Sequence, residues 1–320
     1  MNLKDAEERQ LVKEFLTFAN NMLKIKSPEL LEKDFYLTIF LSEMENEGLI
    51  FKGGTCLAKV YLNYHRFSED LDFTWKKQEI FKNKTMKQIR KVCSGLIDEI
   101  GTEIKDVSEK YGFDFEFEKD NRSYVEIGGG GKIVTFKIWY VSVLTKLKSF
   151  FKMQINFLEN IKFRVKRKKL HNLIKASSFS ENERKYFKNF LDFYRISPAY
   201  YIYDINEIAC EKIRSILTRM GIKTRDVLDL YLIKKNFRVD FEKIKHACSD
   251  KIMFSIEIYE KYRENFNKIV SRSITKEEIL AESVEHLLLT EIDEKDFNNF
   301  LEDFLFFLNR LIMQLKGDLR

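Results

Sequence analysis

Apolar positions recur at helical spacing from the start of the chain. Leu11, Phe15, Phe18, Met22 and Leu23 fall near a 3.6-residue period, so residues 3–25 predict an amphipathic helix. Ser27-Pro28 interrupts it, and Pro28 suits the first turn of a second helix running through Leu31, Phe35, Leu37 and Phe40 to about Glu47. The rhythm then changes. Residues 48–51 make a short apolar strand, Thr55 to about Tyr64 a helix, and residues 70–75 a second strand. A helical pattern over 86–110 ends near Gly112. Runs at 113–118, 123–127, 133–141 and 151–158 predict four more strands in a mixed sheet. Gly128 to Gly131 read as a hairpin turn, because a phosphate-cradling loop calls for a helix next and a strand follows.

Beyond about residue 175 the pattern is helical, at 180–194, 204–220, 225–237, 240–248, 250–270, 275–289 and 294–315. The last segment sets Phe297, Phe300, Leu301, Phe304, Leu305, Leu308 and Ile312 on one stripe, which is a core pattern. The expected fold class is therefore α+β: an α/β domain with N-terminal helices over 1–175 and an all-helical domain over 176–320.

Composition narrows the options without deciding among them. The 320 residues are 44% hydrophobic and 33% charged, enough to bury a core and stay in solution. Two prolines and twelve glycines argue for long helices over flexible linkers. A net charge of +6 permits a nucleic-acid partner but does not demand one. The four cysteines show no CxxC spacing, so free thiols in a reducing cytoplasm are expected and a zinc site is not. The charged N-terminus lacks the apolar core of a signal peptide, and no apolar run is long enough to span a membrane.

The chemistry concentrates between Phe51 and Trp75. Gly53 and Gly54 follow a strand and precede a helix, so their backbone N–H groups can approach an anion closely. Thr55 can cap that helix or bond a phosphate oxygen. On the next strand Asp70 and Asp72 flank Leu71, and alternation puts the two carboxylates about 7 Å apart on one face. Like charges so placed call for a hard cation between them, and Mg²⁺ takes one or two carboxylates together with substrate phosphates. An anion cradle beside metal ligands is the minimal kit for nucleotidyl transfer.

The stretch Gly-Gly-Thr-Cys-Leu, a helix, then Arg66-Phe67-Ser68-Glu69-Asp70-Leu71-Asp72-Phe73 resembles the first motif of the AbiEii-type nucleotidyltransferases, the toxins of type IV toxin–antitoxin and abortive-infection systems. A second match lies at Glu207, Glu211, Lys212, Arg214, Arg225, Asp226 and Asp229. The resemblance implies a polymerase-β-like core followed by helices. It implies that Asp70 and Asp72 bind Mg²⁺ or Mn²⁺, that Lys212 lies near the triphosphate in the cleft, and that Asp226 or Asp229 is its acidic partner. Gly53, Gly54, Thr55, Arg66, Ser68 and Asp229 then join the nucleotide-binding set. The implied activity is transfer of NMP from an NTP to an acceptor hydroxyl, with RNA, and a tRNA 3′ end first, as acceptor. The implied setting is a growth-inhibiting cytoplasmic toxin with a cognate antitoxin encoded alongside.

One position departs from the pattern of such enzymes. The strand after the acid pair should carry a third carboxylate, and Gln154 stands there, with Asn156 nearby. An amide is no general base. The acid then comes from Asp226, Asp229 or Glu126, or two strand carboxylates suffice. A basic run at 162–175 is either a solvated surface or a landing site for an RNA backbone. Two rivals stay open: transfer to a protein or small molecule, and a catalytically weak nucleotide- or RNA-binding module.

Overall fold

The computed structural model describes residues 1–44 and 47–318. The chain divides into two compact units, Met1–Leu158 with Arg167–Ile202, and Glu159–Lys166 with Tyr203–Arg320. The division after Ile202, where residue 175 was expected, follows from a strand at Ala199–Ile202 that pairs into the sheet of the first unit.

Helix α1 (Ala6–Leu23) starts where the Asp5 carboxylate accepts the Glu8 N–H at 2.9 Å. Helix α2 (Pro28–Glu43) opens on its proline as expected. It stops short of Glu47, and positions 45 and 46 of that expected run lie outside the described residues. Strand β1 (Leu49–Lys52) leads directly into α3 (Gly53–Cys56), which continues as a π-helical turn over Leu57–Tyr61. Strand β2 (Leu71–Trp75), helix α4 (Met86–Tyr111) and strands β3 (Val125–Gly128), β4 (Ile133–Val141) and β5 (Lys148–Asn156) follow. Then come β6 (Lys166–Lys169), α5 (Glu181–Tyr186), α6 (Lys188–Arg195) and β7 (Ala199–Ile202).

The strands form one sheet in the order β3-β4-β5-β2-β1-β7-β6. Strand β2 is antiparallel to β1 and parallel to β5, while β4 is antiparallel to both β3 and β5. One face carries Val134, Phe136, Ile138, Phe151, Met153 and Ile155, all buried. Phe40 of α2 packs on Phe151 with ring centroids 5.1 Å apart. The other face carries the half-buried alternate residues, Asp72 and Gln154 among them.

The run at 113–118 is not a strand, although it alternates. It makes a single bridge, Asp114 to Trp139. Phe117 lies against Gly101 of α4, where a Cβ would meet its ring at 2.1 Å, so this segment follows the helix.

In the second unit, α7 (Ile205–Thr218) and α8 (Thr224–Phe237) lie where the periodicity places them. Helix α9 (Phe241–Ile258) runs through the expected break near residue 249, and the chain turns at Tyr259 into α10 (Glu260–Val270). The segment expected as a helix at 275–289 holds only α11 (Lys276–Ile279) and a 3₁₀ turn at Glu285–Leu287. Helix α12 (Glu294–Asp318) buries Phe300, Leu301, Phe304, Leu308 and Ile312. Among the described residues no helix is long and apolar enough to cross a membrane.

Candidate active site

Gly53 has φ +74°, a left-handed conformation that favours glycine. A Cβ there would sit 2.3 Å from Oδ2 of Asp72, which lies opposite Lys52 in the β1–β2 register. At Gly54 a Cβ would meet Nη2 of Arg66 at 2.7 Å and Oγ of Ser68 at 2.8 Å. Both glycines are therefore needed for close approach, one to the acid and the other to the Arg-x-Ser loop. The sequence-predicted residues Gly53, Gly54, Thr55, Arg66, Ser68, Asp70 and Asp72 fall together in the first unit.

Thr55 does not cap the helix. The residue at the cap is Lys52, and Thr55 lies within α3, almost fully buried, with its hydroxyl donating to the Asp70 carbonyl. This bond ties the start of α3 to the entry of β2. Asp70 itself stands one residue before β2, and its Oδ1 accepts the Lys152 backbone N–H of β5 at 3.2 Å. Leu71 between the acids is fully buried and points into the core, while Asp72 is half-buried on the opposite face; Asp70, just before the strand, is half-buried too. Gln154 is the register neighbour of Asp72. The amide thus stands where the third carboxylate was sought. Glu126 is three strands from Asp72, on the order of 14 Å away, and is engaged by Lys137. It does not supply the missing acid beside the pair.

Among the described residues no three His, Cys, Asp or Glu side chains cluster to hold a metal. The oxygen donors Asp70 and Asp72 fit a hard divalent cation whose remaining ligands are phosphate oxygens and water.

Sequence reasoning missed what holds this loop in place. Lys59, in the π-helical turn, is buried with its ammonium 2.9 Å from Asp34 and 3.0 Å from the Thr38 hydroxyl, both on α2. It also donates to the Tyr64 hydroxyl, which in turn donates to Asp34 at 3.2 Å. Burial, then the Asp34 charge, push the Tyr64 pKa well above its ordinary value. Asn63 and Tyr64 both have positive φ, 44° and 62°, so the chain reverses tightly to bring Arg66 under Gly54. A lysine amid apolar residues 57–62 was the available signal.

The second motif lies in the other unit, on α7 and α8. From Glu207 to Thr218, α7 is buried on every side, so each charge on it needs a partner. Lys212 is 2.6 Å from Asp226 and 2.7 Å from Asp229, and Arg219 is 3.2 Å from Asp226. Burial alone would raise the Asp226 pKa, but Lys212 and Arg219 outweigh it and the net shift is downward. The predicted residues Lys212, Asp226 and Asp229 thus form one buried cluster. Glu207 is engaged elsewhere. Its carboxylate accepts the backbone N–H groups of Lys162 and Phe163 at 2.8 and 2.7 Å, and the Lys251 ammonium at 2.5 Å. It staples the 159–166 segment to the helical unit.

The basic run at 162–175 is partly spent on ion pairs, Lys162 with Asp250, Lys166 with Asp204 and Arg167 with Glu47. Arg164, Lys168 and Lys169 are exposed, and no carboxylate pairs with them among the described residues. Strand β6, Lys-Arg-Lys-Lys, lies at the sheet edge, where exposed lysines also deter edge-to-edge pairing.

The profile of the nucleotidyl transferase AbiEii toxin family, type IV toxin–antitoxin system, matches residues 39–312. The chain belongs to the AbiEii nucleotidyltransferase toxin family. It is a nucleotidyltransferase of α+β fold. No curated protein matches it. Among solved structures it is similar to MenT4, a nucleotidyltransferase toxin of Mycobacterium tuberculosis H37Rv, at 16% identity over 95% of this chain and 89% of that one, with a TM-score of 0.48. It is also similar to JHP933 of Helicobacter pylori, at 14% identity over 92% and 97%, with a TM-score of 0.47.

Proposed function

We propose that this AbiEii-family enzyme catalyses Mg²⁺- or Mn²⁺-dependent transfer of a nucleoside monophosphate from an NTP to an RNA hydroxyl, with a tRNA 3′ end as the first candidate. The acceptor hydroxyl loses its proton to water as its oxygen forms a bond to the α-phosphorus, the bond from that phosphorus to the bridging oxygen breaks, and pyrophosphate leaves. When bound, the divalent ion would neutralise phosphate charge and polarise the α-phosphoryl group. Asp70 and Asp72 would hold it. The N–H groups at Gly53 and Gly54, with Arg66 and Ser68 beside them, would take phosphate oxygens. Thr55 positions this cradle through the Asp70 carbonyl. Lys212 is assigned from the family resemblance to the triphosphate charge, and Asp226 and Asp229 fix its ammonium. A growth-inhibiting toxin restrained by a cognate antitoxin is the cellular role this reading implies, with the cytoplasm as its place.

The observation that supports the reading is the close approach of Asp72 to Gly53, a carboxylate that would hold the metal beside backbone N–H groups that would take phosphate oxygens. The test is to incubate the protein with each labelled NTP and total RNA, with and without Mg²⁺. Metal-dependent label on RNA and release of pyrophosphate support it. Label on protein or on a small molecule would favour the first rival. Gln154 beside Asp72 favours a second reading, a nucleotide-binding module with weak catalysis, and tight NTP binding without pyrophosphate release is its signature.

A further inference from the structure

The face of β4 and β5 that carries Gln154 continues away from the acids as a ladder of cross-strand pairs. Its rungs are Thr135 with Gln154, Lys137 with Lys152, Trp139 with Phe150, and Val141 with Lys148. The alternate rungs, among them Phe136 with Met153 and Ile138 with Phe151, point into the core. So four rungs share the face of Asp72, within one unit.

This face is unusual for a solvated sheet surface. The Trp139 and Phe150 rings are both half-buried with centroids 4.5 Å apart. Lys148 lies 5.0 Å over the Trp139 ring and Lys152 5.7 Å from the Phe150 ring. Lys137 and Lys152 stand directly opposite each other, an arrangement of like charges that costs stability. Glu126 offsets Lys137, and Asp114 offsets Lys148 at 2.9 Å. Among the described residues no carboxylate pairs with Lys152. Lys152 is also the residue whose backbone N–H holds Asp70.

We infer that this ladder is a stacking platform for single-stranded RNA, seating the nucleotide next to the reacting end of the acceptor. Aromatic rings with interleaved lysines hold single strands because every base has a π-face and every link a phosphate. Phe150 lies two residues along β5 from Lys152, so its rung is about 8 Å from Asp70. A base stacking on Trp139 would displace Lys148 from the ring, and Lys152 beside the Phe150 ring would meet the phosphate of the RNA link. The platform and the basic edge β6 lie on opposite sides of β2 in the sheet order, so the two surfaces can be tested apart.

This inference rests on RNA being the acceptor. The test measures binding of a fluorescein-labelled single-stranded RNA in EDTA, where no turnover occurs, to the full chain and to Trp139→Ala, Trp139→Phe and Lys152→Ala. Trp139→Ala should weaken RNA about 5- to 150-fold, and Trp139→Phe should restore most of it. Lys152→Ala should flatten the slope of log K against log salt by about 0.7. Free NTP should bind Trp139→Ala and Trp139→Phe as it binds the wild-type chain. RNA affinity unchanged in Trp139→Ala overturns the platform and leaves the RNA reading standing. An NTP affinity that falls in its place assigns the rings to the incoming base and also overturns it. A wild-type chain that binds no RNA overturns both readings. Equal melting temperatures for Trp139→Ala and Trp139→Phe exclude misfolding as the cause of a loss.

Discussion

Asp72 lies so close over Gly53 that a Cβ on residue 53 would come within 2.3 Å of its carboxylate oxygen. The glycine and the acid are one device: the left-handed backbone there strains any residue with a side chain, and the acid fills the space that side chain would need.

Gly53→Ala should therefore act through Asp72. The left-handed backbone alone costs an alanine roughly 1–2 kcal/mol. The clash adds to this by pushing the carboxylate aside. We expect a lowered melting temperature together with a loss of metal-dependent transfer larger than for Gly54→Ala, which displaces only Arg66 and Ser68 side chains. Activity and melting curves on both variants check this.

Asp70→Asn and Asp72→Asn should each reduce transfer at least ~100-fold, since the ion supplies several kcal/mol of transition-state stabilisation. Both should melt at or above the wild-type temperature without metal, because one of two like charges is gone. Wild-type turnover in either variant at saturating Mg²⁺ would remove that residue from the metal site.

Gln154→Glu restores a third carboxylate beside Asp72. In EDTA it should melt below wild type through charge repulsion. Adding Mn²⁺ or Mg²⁺ should raise its melting temperature more than that of wild type, because three carboxylates bind a hard cation better than two. Metal titration followed by melting distinguishes this from a simple loss of packing.

Lys212→Ala leaves Asp226 and Asp229 buried without their lysine. Breaking a buried pair this way typically costs about 3–5 kcal/mol, so lost activity alone would not prove a catalytic lysine. The separating measurement is calorimetry with NTP and NMP on Lys212→Ala under conditions where it remains folded. A greater loss for the triphosphate supports the phosphate role.

The pH dependence of stability follows from Asp226. Its folded pKa is depressed, so the stability it contributes is fully present above the unfolded value of about 3.9 and is lost as pH falls through the folded value. Asp226→Asn should thus lower the melting temperature clearly at pH 7 and progressively less toward pH 3. A constant difference across that range would show that the ion pair does not set it.

The Gly-Gly-Thr turn and strands β1 to β5 were legible because each depends on neighbours in sequence, whereas their order in the sheet does not. A Gly-Gly pair after a strand marks a turn, and Leu71 and Asp72 alternate because strands do, with Asp70 one residue before the strand. The place of Thr55 was not legible, because its partner, the Asp70 carbonyl, is a backbone atom fifteen residues away that no side-chain pattern reveals. Lys59 is hidden for a like reason: its partners Asp34 and Thr38 come from another helix. Strand β6 has no apolar position to announce it, and residues 113–118 alternate without pairing because Phe117 packs on Gly101. Helix α9 runs through the expected break because Ser249 and Asp250 continue the helical turn, and periodicity does not place such breaks closely.

The order of synthesis gives the discontinuous first unit a further meaning. The acids and glycines are complete by Trp75, but β1 gains its second neighbour only when Ala199–Ile202 leaves the ribosome. At ordinary elongation rates that interval is roughly 6–25 s. Throughout it β1 would be an uncovered edge beside the Gly-Gly turn, open to pairing with another nascent chain. Slower translation between those two points should lengthen that exposure, and the yield of folded enzyme should fall with it.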